Sequence, residues 1–343
     1  MFDTTPQYDF KDVLLKPKTT GLNSRNEVQL ETTFTFSNNT TWTGIPIISA
    51  NMYTTGTFEV HKELAKYKML TAMHKFYTIE DYKKYDNEKN IDYEYCIVSC
   101  GIRNEDYDNV CQILDEIPQL KWICIDIANG YIPNMKLFCT KIRQRYPKHI
   151  IIAGNVATGS GVIELSSCGI DIVKVGIGPG SVCTTRKMTG IGVPQLSCII
   201  DCKKTSEKTY IIGDGGITCP GDVSKAFGGG ADFVMMGGVW SGHDENIGNI
   251  IEKNNKKYKQ FYGMSSTYAM KTHYGKKDDY RASEGKVVEV PYKGKIEDTI
   301  LEYLGGIRST CTYIGSKSIR DIKNNTTFIV VKNQLNTIFN DGS

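Results

Sequence analysis

Eight short apolar runs recur along the chain, and their spacing constrains the fold more than any other feature. They lie at 45–49 (IPIIS), 69–73 (MLTAM), 95–99 (YCIVS), 122–127 (WICIDI), 150–154 (IIIAG), 171–175 (DIVKV), 210–213 (YIIG) and 232–236 (DFVMM). Their starts are 24, 26, 27, 28, 21, 39 and 22 residues apart, which suits strand-plus-helix units and is too long for hairpins. Apolarity within each run is continuous, the pattern of parallel strands covered on both faces. Between them, 58–67, 107–117 and 135–146 carry apolar residues at three-to-four spacing with charges between, as amphipathic helices do. Pro220 suits the first turn of a further helix and Gly228-Gly229-Gly230 its end. Eight such units predict an α/β fold, a closed (β/α)8 TIM barrel forming a single domain over 1–343, with functional residues on the loops after the strands. A doubly wound open sheet is the alternative. The near-regular intervals, and the lack of a dinucleotide fingerprint after the first strand, favour the barrel.

Two stretches fall outside the repeat. Residues 1–44 read as an N-terminal cover, and 243–295, polar and rich in Lys, Tyr and Gly, as a long lid after the eighth strand. With 40% hydrophobic and 23% charged residues the chain can bury a sizeable core, which excludes wholesale disorder. Forty-one Lys+Arg against 38 Asp+Glu leave a net charge of +3, which gives no argument for a nucleic-acid or membrane partner. No apolar run approaches the ~18–20 residues of a membrane span, and the N-terminus, MFDTTPQYDF, does not read as a signal peptide. The eleven cysteines show neither CxxC nor Cys/His metal spacing, so mostly inert thiols in a reducing, cytoplasmic setting are expected.

One thiol stands apart. The loop after the sixth run reads GIGPGSVCTTR over 176–186. Its alternating glycines let the backbone approach a ligand or an ion, and Cys183, beside Arg186, is placed to act as a nucleophile. The plain alternative is one packed thiol among eleven. Two glycine pairs, Gly215-Gly216 and Gly237-Gly238, follow the seventh and eighth runs, where barrels commonly hold phosphate. Turn geometry explains one such pair; two on adjacent strands point to a phosphorylated small molecule, with Asp214 able to accept from ribose hydroxyls. Glu284, in YRASEG at 280–285, could pair with the Thr185 hydroxyl and tune it for proton transfer, although a lone carboxylate on a loop is usually just solvated. His61, His74, His149, His243 and His273 form no zinc-binding spacing. The GNVATG stretch at 154–159 reads as a loop-to-helix turn, and the Lys/Tyr clusters read as solvated faces.

At these motifs the sequence resembles the inosine-monophosphate dehydrogenase/GMP reductase family. The resemblance spans about residues 9–315 and is carried by DFKDVLLKP (9–17), GIPIISANM (44–52), ICIDIANG (123–130), KVGIGPGSVCTTRKMTG (174–190), DGGITCPGDVSKAF (214–227), YGMSS (262–266), YRASEGKVVEVPYKG (280–294) and GGIRSTCTYIG (305–315). Within the family it is similar to the reductase branch. The nucleophile loop reads Cys-Thr-Thr-Arg where dehydrogenases typically read Cys-Ile-Thr-Gln, the stretch from Met264 to Glu284 is too short for a dehydrogenase flap, and no inserted regulatory domain is present.

The resemblance implies NADPH-dependent reductive deamination of GMP to IMP, with ammonia released through a covalent thioimidate on Cys183. Thr185 and Glu284 would form the acid/base relay. It implies GMP contacts at Ser181, Asp214, Gly215, Gly216, Gly237, Gly238, Gly263, Met264, Ser265, Arg281, Ala282, Ser283, Glu284 and Gly285. For NADPH it implies Ser24, Arg25, Lys75, Asp126, Ile127, Ala128, Ile177 and Gly178, with Met264, Tyr280, Arg281, Ser309, Thr310, Cys311 and Thr312 reaching a neighbouring subunit, hence a homotetramer. A monovalent cation, K+, would sit against Gly178, Gly180 and Cys183, near Arg186. The sequence departs from the family pattern at Tyr53, where most relatives carry aspartate. Two alternatives stay open on this reading: an IMP dehydrogenase lacking regulatory domains, and a catalytically silent nucleotide-binding barrel.

Overall fold

All eight apolar runs become strands of one closed parallel barrel. In the computed structural model, which describes residues 3–206, 208–263 and 285–332, these strands are β3 (Thr41–Ser49), β4 (Met69–Ala72), β5 (Cys96–Cys100), β6 (Trp122–Asp126), β7 (Ile150–Val156), β8 (Ile172–Val175), β9 (Tyr210–Asp214) and β10 (Phe233–Met236). Each pairs in parallel with the next, and β10 returns to β3 with Val234 opposite Ile47 and Met236 opposite Ser49. The expected (β/α)8 barrel is the observed fold.

The helices follow the periodicity: α1 (Phe58–Lys66), α2 (Ile79–Asn87), α3 (Asn104–Glu116), α4 (Pro133–Arg145), α5 (Gly159–Ser167), α6 (Thr185–Thr189), α7 (Gln195–Lys204), α8 (Pro220–Gly229), α9 (Ile296–Ile314) and α10 (Ile322–Asn325). Thr57 and Thr158 cap α1 and α5 by accepting from the main-chain N–H groups of Val60 and Gly161. Pro220 opens α8, and Gly230, in the left-handed region at φ +105°, ends it. The 39-residue interval between the sixth and seventh runs is now explained. It holds an extra loop with the short helix α6 before the regular helix α7.

The barrel interior is packed by Ile48, Leu70, Ile97, Trp122, Ile152, Ile172, Ile212 and Phe233, among others. Its N-terminal end is closed by a plug. Strand β2 (Thr32–Thr35) runs antiparallel to the start of β3, and this hairpin puts Phe34, Phe36 and Trp42 against the strand starts. The Phe34 ring centroid lies 4.3 Å from that of Phe233, and Trp42 meets Trp122 edge-on at 5.5 Å. Pairs of this kind contribute about 0.5–1.5 kcal/mol beyond burial. Further out, β1 (Val13–Leu15) pairs antiparallel with β14 (Phe328–Val330).

The eighth unit carries the long polar stretch as its strand-to-helix loop, between β10 and α9. Its Lys/Asn-rich part forms β11 (Ile251–Lys253) and β12 (Lys256–Tyr262), joined by Asn254 and Asn255, both at positive φ. Asparagine tolerates that conformation, which suits a tight hairpin. With β13 (Val287–Pro291) these strands make a separate antiparallel sheet. No helix among the described residues is long and apolar enough to cross a membrane.

Candidate active site

Cys183 lies on the loop after β8, at the C-terminal end of the barrel where this fold gathers reactive groups. The loop is pinned from below. Arg186 donates to Asp9 at 3.1 Å and to the Val193 carbonyl at 2.8 Å, and Asp9 also accepts from the Gln195 main-chain N–H at 2.6 Å. Gln195, fully buried, donates to the carbonyls of Val175 and Asp214 at 2.9 and 3.1 Å. Gly178, at φ +89°, is obligatory here, because a Cβ would stand 2.6 Å from Arg186 Cγ. The N-terminal segment therefore braces the cysteine loop through Asp9, while the β2–β3 hairpin plugs the opposite end.

Within the loop the Cys183 N–H donates to the Gly180 carbonyl at 3.0 Å, and Cys183 Sγ lies 3.2 Å from Thr185 Oγ1. The other thiols separate from Cys183 by environment. Burial pushes the Cys124, Cys139 and Cys311 thiols up to about 12, which keeps them protonated. Cys183 is half-buried, as are Cys168 and Cys219, but those two stand at helix ends.

Glycines gather the loops after β8, β9 and β10. A Cβ on Gly238 would come within 2.8 Å of Ser181 Oγ, and one on Gly237 within 2.7 Å of Met52 Sδ. Gly215 and Gly216 take φ of +84° and +80° beside Pro179. Ser181, Gly215, Gly216, Gly237 and Gly238 are thus brought to one side of the cysteine loop. Gly263 and Gly285 join them. Cys183 bridges to Gly285, the Lys286 N–H donates to the Val182 carbonyl at 3.0 Å, and the Gly263 N–H donates to the Lys286 carbonyl at 3.2 Å. Glu284 directly precedes Gly285 in the chain but lies outside the described residues, as do Met264, Ser265, Tyr280, Arg281, Ala282 and Ser283.

The deepest part of the site is a charge cluster that sequence reasoning missed. Lys174, on β8, is 1% exposed, and its ammonium lies 2.9 Å from Asp126 and 3.3 Å from Asp214. Asn51 donates to the other Asp126 oxygen at 2.8 Å, and Asn155 donates at 2.8 Å to both Asp214 and the Gly176 carbonyl. Burial opposes the Lys174 charge, but the two carboxylates outweigh it and hold the ammonium above its usual range. Burial likewise raises Asp126, and Lys174 and Asn51 outweigh it, leaving that carboxyl below its usual value. The available signal was the lysine in DIVKV. A strand covered on both faces cannot bury a lone cation without counter-charges.

The remaining expected contacts divide into two groups. Ile127 continues the end of β6, its N–H donating to the Gly154 carbonyl at 3.0 Å, with Ala128 following. Lys75, after β4, pairs with Asp106 at 3.1 Å. Ser24 and Arg25 instead lie against α9, tied by Arg308 to the carbonyls of Arg25 and Val28, so they group with Ser309, Thr310 and Thr312. Cys311 on that helix turns its side chain into the packing, and Thr310 meets Ser224 at 3.0 Å. Tyr53 stacks on His74 with ring centroids 5.0 Å apart, and on Tyr262 at 6.1 Å.

Comparison with known proteins bears on this arrangement. The family model for the IMP dehydrogenase / GMP reductase domain matches residues 7–336. GMP reductase 1 of Mus musculus is 53% identical over 98% of this chain and 99% of its own length. GMP reductase 2 of Homo sapiens is 52% identical over 99% and 98%, and GMP reductase of Phytophthora infestans 50% over 98% and 94%. Near-complete coverage at this identity, on a barrel whose strand-end loops carry Cys183 and the glycine pairs, places the chain in the IMP dehydrogenase / GMP reductase family.

Proposed function

We propose that the protein catalyses the reductive deamination of GMP to IMP and ammonia, with NADPH as reductant. The observation that carries the reading is Cys183 on a braced strand-end loop, with the Thr185 hydroxyl 3.2 Å from its sulfur and Gly285 paired beside it. Together with relatives named GMP reductase across nearly the whole chain, it favours this activity over a dehydrogenase or a silent barrel.

In this mechanism the Cys183 thiolate adds to C2 of the purine, forming a C–S bond. The C2–N bond to the 2-amino group breaks, and ammonia leaves with a proton that Thr185, polarised by Glu284, delivers. The resulting thioimidate on Cys183 is reduced at C2, the C–S bond breaks, and IMP departs as the thiolate is regenerated. Ser181 and the paired glycines would bind the phosphate, and Asp214 the ribose.

The strand-end residues fit a nicotinamide cofactor. Asn155 Oδ1 is buried with no hydrogen-bond partner among the described residues, and Asp126 and Lys75 are each only partly covered. Bound there, NADPH supplies the hydride for C2. Asp126, Ile127, Ala128, Ile177, Gly178 and Lys75 would hold it, and Ser24, Arg25 and Ser309 to Thr312 would serve a neighbouring copy in a homotetramer. For the cation, no group of three or more His, Cys, Asp or Glu that could hold a metal occurs among the described residues. Main-chain carbonyls of Gly178, Gly180 and Cys183 would supply instead the neutral oxygens that suit K+, with Arg186 bracing the loop from Asp9. A cytoplasmic location accords with the eleven unpaired thiols.

The test is nicotinamide absorbance followed with GMP plus NADPH, and separately with IMP plus NAD+, each with and without potassium. Loss of NADPH on adding GMP, enhanced by potassium, is expected. Turnover only in the second mixture would make the protein a dehydrogenase, and GMP binding without turnover a silent barrel.

A further inference from the structure

The Lys174 cluster spans the two halves of the site just described. Asp214 ends β9 on the side expected to hold the nucleotide ribose, and Asp126 ends β6 on the side expected to hold the cofactor. One buried ammonium contacts both, at 3.3 and 2.9 Å. The neighbouring strand makes room for it: at Gly154 on β7 a Cβ would stand 2.5 Å from Lys174 Cβ. Asn51 and Asn155 fix the carboxylates from the ends of β3 and β7.

The other groups bearing on the cluster are few. Cys124, raised to about 12 by burial, faces Lys174, and Lys75 acts on Asp126 from the β4 side. Two carboxylates around one lysine leave the cluster net negative. Without the lysine they would repel one another in a poorly hydrated setting.

We infer that Lys174 is a positioning residue that orients Asp126 and Asp214 together, so that the cofactor side and the nucleotide side of the site are energetically coupled through one shared ammonium. The inference rests on the function proposed above. It adds a residue that touches neither ligand and acts through both carboxylates. A change in what one carboxylate holds alters the lysine's share to the other, and such coupling is reciprocal.

The test uses the full-length protein with three variants at this position. Lys174→Met and Lys174→Gln remove the charge, and Lys174→Arg keeps it. Charge-free variants are expected to lower kcat/KM about 10- to 100-fold for both GMP and NADPH, the scale at which orienting partners act in comparable charged sites. They should also move the acidic limb of the pH profile upward, because Asp126 loses the ammonium that holds its carboxyl low. Lys174→Arg is expected to return the limb toward wild type. A purely structural lysine would lower stability while leaving the limb and the ratio of the two effects unmoved, and that result would overturn the inference.

Asp126→Asn provides a measurement that does not depend on a Lys174 variant folding. It releases Lys174 wholly to Asp214, so GMP affinity, measured calorimetrically without cofactor, is expected to change at least threefold, about 0.65 kcal/mol. Unchanged GMP affinity would overturn the coupling. Wild-type protein that fails to oxidise NADPH with GMP sinks the proposed function; wild-type turnover with indifferent variants sinks this inference alone.

Discussion

Cys183 Sγ and Thr185 Oγ1 stand 3.2 Å apart across a single intervening residue. The thiol proposed as nucleophile and the hydroxyl proposed as proton carrier are thus held together by local chain geometry, on a loop braced through Arg186 and Asp9. Because Cys183 is only half-buried and fills no core gap, its removal should leave the fold intact. Cys183→Ala is expected to abolish GMP-dependent NADPH oxidation while GMP still binds within a fewfold of wild type. Absorbance and calorimetry on the same preparation check this, and persistent turnover would end the covalent mechanism.

Thr185 opens α6 and lies in the same turn, so its side chain can be trimmed without disturbing the barrel. Loss of a positioned proton carrier typically costs about 10²–10⁴ in rate. Thr185→Ala should show that loss in kcat with little change in KM for GMP. Thr185→Ser should recover most of the rate, because the hydroxyl is what acts. Equal losses in both variants would assign the residue to packing.

The barrel was legible because eight strands buried on both faces leave an unmistakable rhythm, and even the irregular 39-residue interval marked the cysteine loop. The plug was less legible. Phe34, Phe36 and Trp42 fall before the first apolar run, and their burial depends on strand starts as distant as Phe233. The cysteine loop and glycine pairs could be read locally, since positive φ and close approach demand particular residue types. Lys174 could not, because its two carboxylates lie 48 residues before it and 40 after it and meet it only once the barrel closes.

Tyr53 stands where the family resemblance leads one to expect aspartate, and its ring is used. It stacks on His74 and Tyr262, joining the loop after β3 to the loop after β4 and the end of β12. Each such pair is worth about 0.5–1.5 kcal/mol beyond area. Tyr53→Asp should therefore destabilise the protein by about 1–3 kcal/mol in urea unfolding, and Tyr53→Phe, which keeps the ring, should lose less. Turnover of the folded Asp variant is expected within tenfold of wild type, since no reacting group is displaced. A neutral Tyr53→Asp would show that the stack contributes nothing.

His61 makes stability depend on pH. It is a fully buried residue of α1, and the Asp92 main-chain N–H donates to its Nε2 at 3.0 Å, so that nitrogen carries no proton in the folded state. Burial lowers its pKa from 6.5 to about 4. The folded pKa lies below the unfolded one, so between these values the unfolded chain binds the extra proton. This contribution is therefore fully present above pH 6.5 and is lost as pH falls toward 4, amounting to on the order of 3 kcal/mol over the whole window. At pH 5 roughly 2 kcal/mol of it should be gone relative to pH 7.5. His61→Gln keeps an acceptor for Asp92 but does not titrate, so its urea-derived stability should fall less over the same range. The gap between wild type and variant should narrow steadily from pH 7.5 to 5. A constant gap would place the source of acid sensitivity elsewhere.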